Sequence, residues 1–251
     1  MRIQGATALV TGANRGLGEV MAQLLLERGA HRVYGGARDP RSVREPGVIP
    51  VRLDITDPAQ VAAAAETCSD VTLLVNNAAV LTDSPLLAAP GVDAARTEME
   101  VNYFGTLAMC RAFAPLLTAN SPGAIVNVLS IASWYTNPAM GSYSASKAAA
   151  WALTNGIRGE LHDTGVLVVG VHCGYIDTDM AAHVTGPKNS PKAIAEQTLA
   201  AVEAGRTEVL ADERTRQAKA ALGLTAGTAA PARHPRHPPR DGVARATATE
   251  G

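Results

Sequence analysis

The chain has 251 residues, 47% of them hydrophobic and 18% charged, enough apolar material for the core of a single α/β domain. A net charge of −1 and a pI near 6.6 leave no basic footprint for nucleic acid. No apolar run approaches membrane-spanning length and no leader-like segment precedes the first strand, so a cytoplasmic protein with no membrane partner is expected. Cys68, Cys110 and Cys173 lie too far apart for a paired metal or redox motif and read as buried thiols.

ATALV (6–10) reads as a buried strand, and TGANRGLG (11–18) follows at once. Leu17, Val20, Met21, Leu24 and Leu25 then share one face of a helix that Gly29 closes. In this strand–turn–helix context, Gly12, Gly16 and Gly18 let the backbone approach a pyrophosphate resting on the helix N-terminus. Asn14, Arg15 and Leu17 belong to the same turn. A short second strand, 32–36, runs into Ala37, Arg38 and Asp39. An acid at this point takes the ribose 2′-hydroxyl of NAD, and an arginine accommodates the 2′-phosphate of NADP. Arg38, with Arg15 as a second guanidinium, favours NADP(H) over NAD(H), and Asp39 is the dissenting residue.

The third strand, within 48–57, is predicted to end at Asp54, whose carboxylate can accept from an adenine amino group while the N–H of Ile55 donates. Thr56 or Asp57 is placed to cap the next helix ahead of Pro58. VTLLVNNAAV (71–80) is a fourth buried strand running into Asn76, Asn77 and Ala78, the two amides suited to tying down backbone beside a cofactor. From 91 to 118 the periodicity predicts helix, with Asn102 on or near the apolar stripe. That side chain is either a satisfied core amide or the holder of a water in a proton path.

AIVNVL reads as a strand ending at Ser130, and SYSASKAAAWALTNGIRGELHD as a helix with Ser142 or Ser144 as its start signal. Tyr143 and Lys147, four residues apart, share a face of that helix. An ammonium beside a phenol lowers the phenol's pKa, which suits Tyr143 to general acid–base work on an alcohol or carbonyl. GVLVVGVHCG (165–174) is a sixth strand, followed by a loop with Thr178 and Met180 that is short for a lid. SPKAIAEQTLAAVEAG (190–205) is a helix with a glycine cap, TEVLA a last strand and DERTRQAKAAL a last helix. The catalytic domain is therefore placed at 1–223. Residues 224–251, rich in Ala, Pro and Arg, read as a disordered tail in which His234 and His237 are solvated, with no metal expected.

The strand–helix alternation argues a single Rossmann-like, doubly wound parallel sheet in a three-layer α/β/α arrangement. Taken in order, the motifs resemble those of the classical short-chain dehydrogenase/reductase family over about residues 5–222. TGANRGLG is similar to its T-G-x-x-x-G-x-G turn, Asp54 to its adenine-binding acid, and NNAA (76–79) to its N-N-A-G. Asn102, Ser130, Tyr143 and Lys147 match its catalytic tetrad, and CGYIDTDM (173–180) its P-G-x-x-x-T-x-M segment. Ala79 and Cys173 depart from that pattern, and TEVLAD stands where V-D-G-G is common.

The resemblance implies that Tyr143 exchanges a proton with the substrate while hydride moves to or from nicotinamide. It implies that Lys147 lowers the Tyr143 pKa and binds the nicotinamide ribose, that Ser130 polarises the substrate oxygen, and that Asn102 holds a relay water through its main chain. Ile176 and Thr178 would contact the carboxamide end of the cofactor, and Leu81, Trp134, Met140 and Tyr175 would line an apolar substrate pocket. The implied reaction is NADPH-dependent reduction of a ketone or aldehyde to an alcohol. Imine reduction, dehydration or epimerisation on the same residues is the alternative, and a non-catalytic NADP-binding regulator the other class. A homodimer or homotetramer built through the helices containing Asn102 and Lys147 is also implied.

Overall fold

The computed structural model describes residues 1–225. In chain order its regular elements are β1 (Thr7–Thr11), α1 (Gly16–Glu27), β2 (Arg32–Ala37), β3 (Val48–Arg52), α2 (Pro58–Thr67), β4 (Leu73–Asn76) and α3 (Asp93–Met99). There follow α4 (Thr106–Ala119), β5 (Gly123–Val128), α5 (Gly141–Glu160), β6 (Val166–His172), α6 (Pro191–Glu203), β7 (Glu208–Leu210) and α7 (Glu213–Thr225). Leu224 and Thr225, expected to begin the tail, instead close α7, and residues 226–251, including His234 and His237, lie outside the described residues.

The seven strands form one parallel sheet in the order β3-β2-β1-β4-β5-β6-β7. Successive side chains of a strand point to opposite faces, so β1 sends Ala8 and Val10 into one core and Leu9 into the other. The first core is closed by α1 and α6 through Leu25, Ile194 and Leu199. The second is closed by α2, α4 and α5 through Val61, Phe113, Leu117 and Ile157. This is the expected three-layer, doubly wound sheet. Strand order reverses between β1 and β4, and a crevice opens at the carboxyl ends of the strands there. Pro50 is tolerated because β3 is an edge strand with only β2 beside it.

Strand ends shift by one to four residues from the sequence-based expectation, and three departures have an identifiable local reason. The strand predicted to end at Asp54 stops at Arg52, after which one more bond, Leu53 N–H to the Ala37 carbonyl at 2.9 Å, turns the chain out of the sheet. The helix predicted over 91–118 is interrupted by a π-helical turn, Glu100–Gly105. That turn absorbs an extra residue and rolls Asn102 inward, while Thr106 donates its hydroxyl to the Asn102 carbonyl at 3.0 Å. Gly105 permits the close approach, since a Cβ there would stand 2.7 Å from the Ile55 side chain. Finally, α5 is not capped by Ser142 or Ser144. Both hydroxyls are buried and donate to carbonyls, Ser142 to Ser84 and Ser144 to Met140. By contrast Asp57 does cap α2, accepting from the N–H groups of Ala59 and Gln60.

A buried polar chain fixes α5 on the sheet. The Asn76 amide donates to Asn127 Oδ1 at 2.8 Å, Asn127 Nδ2 donates to Thr154 Oγ1 at 2.9 Å, and Thr154 donates to the Ala150 carbonyl at 2.7 Å. Truncation at the middle of this chain leaves the buried Asn76 amide with only the weak acceptor Cys110 Sγ at 3.4 Å. Asn127→Ala is expected to lower unfolding free energy by about 1–3 kcal/mol, read as a shift in the urea midpoint. A midpoint equal to wild type would show that the chain does not bear on α5.

Candidate active site

The carboxyl ends of β1, β2, β4, β5 and β6 open into a cleft of about 990 Å³. At one end the glycine turn is held by its neighbours. Thr11 Oγ1 accepts from the N–H groups of Asn77 and Ala78 at 3.0 Å each, and Asn77 Nδ2 donates to the Thr11 carbonyl at 2.9 Å. Gly12 and Gly16 adopt positive φ, +65° and +58°, which a side chain would strain. Gly18 does not line the cleft: a Cβ on it would collide with the Gly12 carbonyl oxygen, so it lets α1 pack against the turn. Arg15, ahead of the helix, makes no side-chain cap, so the first N–H groups of α1 face the cleft without a side-chain acceptor. This is a cradle for an anion, and Gly12, Asn14, Arg15, Gly16 and Leu17 line it.

Farther along, Ala37 and Arg38 line the wall beyond β2, with Arg38 exposed. Asp39 is occupied: it accepts from the Arg41 backbone N–H and from Nε and Nη2 of the same residue at 3.0–3.1 Å. Those hydrogen bonds hold its carboxyl below the usual range. Arg15 also has a partner, Asp179 Oδ2 at 3.4 Å, where the sequence reading left it free for a phosphate. Both side chains are exposed, and such a pair exchanges readily for another anion. Asp54 lines the wall with Oδ1 fixed by the N–H and hydroxyl of Thr56, and Ile55 lies beside it. The donors and glycines of this half fit a dinucleotide.

The cleft also holds Ser130, Tyr143 and Lys147, with Ser130 hydrogen-bonded to Tyr143, and Ala78, Ile176 and Thr178 line it as well. Lys147 is buried at 4% exposure, donates from Nζ to the Val128 carbonyl at 2.9 Å, and lies 5.8 Å from the Tyr143 ring centroid. Burial pushes its pKa down to about 8. Tyr143 moves the other way, its phenol raised above the ordinary value by burial, with a hydrogen bond from Ser130 pulling back. In the protein alone the Lys147 amine is committed to a carbonyl, and burial disfavours its charged form. Asn102 stands behind the cleft rather than in its wall. Its amide bonds both backbone groups of Val80 and donates to Ser146 Oγ, each at 2.9 Å, tying the loop after β4 to α5.

A model of the short chain dehydrogenase family matches residues 6–189. The chain belongs to the short-chain dehydrogenase family. It is 35% identical over 208 residues to the short chain dehydrogenase tazN of Aspergillus terreus, covering 76% of this chain and 45% of that protein. Thus this dehydrogenase spans less than half the length of that relative. Among solved structures, a short chain dehydrogenase from Burkholderia cenocepacia in complex with NADP superposes with a TM-score of 0.85 at 48% identity, covering 90% of this chain and 95% of its own. A 3-ketoacyl-(acyl-carrier-protein) reductase from Brucella melitensis complexed with NADH gives 0.73 at 25% identity, covering 85% and 93%. The fold and family together make this an oxidoreductase that binds a nicotinamide dinucleotide.

Leu81, Met140 and Tyr175 line the cleft as expected, but Trp134 does not. Trp134 turns away and stacks on His172, with ring centroids 3.8 Å apart at 22°, and meets Trp151 edge-on at 6.0 Å. Its neighbour Tyr135, 59% exposed, takes the place in the wall. The reason lies in the short 3₁₀ turn Ile131–Ser133, which Ser130 caps by accepting from the Ala132 N–H. Sequence reading also passed over His172, Asp212 and Arg214. His172 is buried and donates from Nδ1 to the Ser130 carbonyl at 3.1 Å, and burial lowers its pKa to about 4, so it is neutral. Nothing local marks a histidine inside a strand, whereas Asp212 between the last strand and helix carries a cap signal. No helix among the described residues is long and apolar enough to cross a membrane.

Proposed function

We propose that this protein reduces a ketone or aldehyde to an alcohol with NADPH, in a reversible reaction for which Tyr143 is the proton donor. The reading is supported above all by Ser130, Tyr143 and Lys147 lining one cleft together with the glycine turn, Ser130 hydrogen-bonded to Tyr143 and Lys147 Nζ 5.8 Å from its ring centroid. When bound, the nicotinamide supplies the hydride. Ser130 donates a hydrogen bond to the substrate oxygen and holds it beside the Tyr143 hydroxyl. Tyr143, kept protonated at neutral pH by burial, then gives its proton to that oxygen as negative charge develops there. Lys147 binds the nicotinamide ribose and stabilises the phenolate left behind, a role that requires its charged form. Asn102 serves through its main chain, in the π-turn that rolls it inward, by holding a water that returns a proton to this wall.

NADPH is preferred to NADH because Arg38 is exposed at the 2′ end while the competing acid, Asp39, is saturated by Arg41. The NADP in the Burkholderia cenocepacia structure agrees with this choice. Ile176 and Thr178 would meet the carboxamide, and Thr178 is already packed 3.1 Å from where a Gly16 Cβ would stand. We also assign self-association to the helices containing Asn102 and Lys147; on the first of these Phe104, in the π-turn ahead of α4, is 49% exposed beside Leu107 and Arg111.

Tyr143→Phe removes the donor and should lower the rate of NADPH oxidation with a carbonyl substrate by about 10²–10⁴-fold; undiminished turnover would sink the assigned role. Arg38→Asp should weaken NADPH binding by roughly tenfold and improve NADH binding, measured by cofactor fluorescence. A wild-type protein that prefers NADH would overturn the cofactor assignment. The pH profile tests Lys147. Its depressed pKa means the charged form is complete below about 8 and lost above it, so reduction should fall as pH rises through that value. A rate that stays level for two units on either side would remove Lys147 from the mechanism.

A further inference from the structure

We infer that Arg214 is the specificity determinant for the substrate, and that the preferred substrates are apolar carbonyl compounds ending in a carboxylate. This deepens the reductase reading above and rests on it.

The argument begins with how α7 is held. Asp212, just ahead of the helix, accepts four hydrogen bonds. Its Oδ2 takes the Gly174 N–H at 2.7 Å and Asn189 Nδ2 at 2.9 Å, and its Oδ1 takes the Thr215 N–H and hydroxyl at 2.8 and 2.9 Å. Thr215 is fully buried. Lys219 then bonds Glu208 at 2.7 Å and lies over the rings of Trp134 and Trp151 at 4.7 and 5.8 Å. Residues 212, 215 and 219 share one helix face, so α7 is fastened along that face to the ends of β6 and β7. Arg214 falls off that face, is exposed, and lines the cleft. Because Asp212 grips Gly174, the first turn of α7 is held beside the Gly174–Tyr175 segment, which itself lines the cleft.

The charges near Arg214 are otherwise matched. Asp212 is saturated as described, and Glu213 holds Arg216 and Gln217. Across the cleft Asp177 faces Lys188 at 3.5 Å and Asp179 faces Arg15 at 3.4 Å. Among the described residues no carboxylate lies within ion-pair distance of Arg214. Leu81, Tyr135, Met140 and Tyr175 line the same cleft as Arg214 and Tyr143 and offer mainly apolar and aromatic surface, with the Tyr175 hydroxyl 3.9 Å from Met140 Sδ. A substrate that fills this half thus places its carbonyl at Ser130 and Tyr143, an apolar body along the wall, and an anionic end on the guanidinium. A planar carboxylate matches the donor fork.

The test uses the full chain saturated with NADP and titrates two inert probes by calorimetry, phenylbutyrate and its methyl ester. The carboxylate should bind about tenfold more tightly than the ester, and Arg214→Ala should erase that preference. Arg216→Ala, an equal loss of charge from the same helix but away from the cleft, should keep it. Arg214→Gln takes the place of the alanine variant if that one fails to fold. Equal affinity for the two probes, a preference that survives both Arg214 variants, or no binding of either probe would overturn the inference. Turnover of benzoylpropionate and its methyl ester separates the two readings. Reduction of both with no carboxylate preference defeats the Arg214 assignment while the reductase stands; a carboxylate preference in binding with no reduction of any carbonyl defeats the reductase while the anion site stands.

Discussion

The contact between the Lys147 ammonium and the Val128 carbonyl joins the helix that carries Tyr143 to the strand that leads to Ser130. A buried ammonium without an acceptor would be costly, so the bond fixes where α5 can lie. The Asn76–Asn127–Thr154 chain fixes the same helix from below, and Asn102 with Ser146 fixes it from the side. Every group that makes the reactive wall is therefore referred to one frame, the carboxyl ends of β4, β5 and β6.

Fixing the helix this tightly has an electrostatic consequence. The same burial that positions Tyr143 and Lys147 works against the charged form of each, raising the phenol and lowering the amine. The raised phenol carries its proton at neutral pH, as a donor must before a reduction, while the lowered amine gives its own proton up more readily. At the far end of the cleft the logic is reversed. The N-terminus of α1 and Arg38 are positive and open, and the nearest acid is neutralised by Arg41.

The C-terminal part of the described chain adds a third element. Asp212 fastens the loop after β6 to the start of α7, and Lys219 fastens the middle of that helix to Trp134 and, through the Trp134 stack, to His172 and the Ser130 carbonyl. A helix that reads from its sequence as a polar surface element is thereby coupled to the same wall as Tyr143.

The amino-acid sequence alone determined the doubly wound sheet, because alternation of apolar strands with one-faced helices admits few other packings, and it determined the family, because the motifs fall in fixed order. It also named nearly every cleft-lining residue of the glycine turn, whose backbone requirements only glycine meets. Side-chain direction was a different matter. Whether Trp134 or Tyr135 faces the cleft depends on a three-residue 3₁₀ turn, and whether Asn102 faces inward depends on a π-turn. Neither leaves a periodic signal. The partners of Arg15 and Asp212 lie 164 and 38 residues away along the chain, and the effect of burial on Lys147 exists only once strands and helices surround it. Those features were decided by tertiary structure, since hydrogen bonding and desolvation act through space and a linear pattern carries no distances.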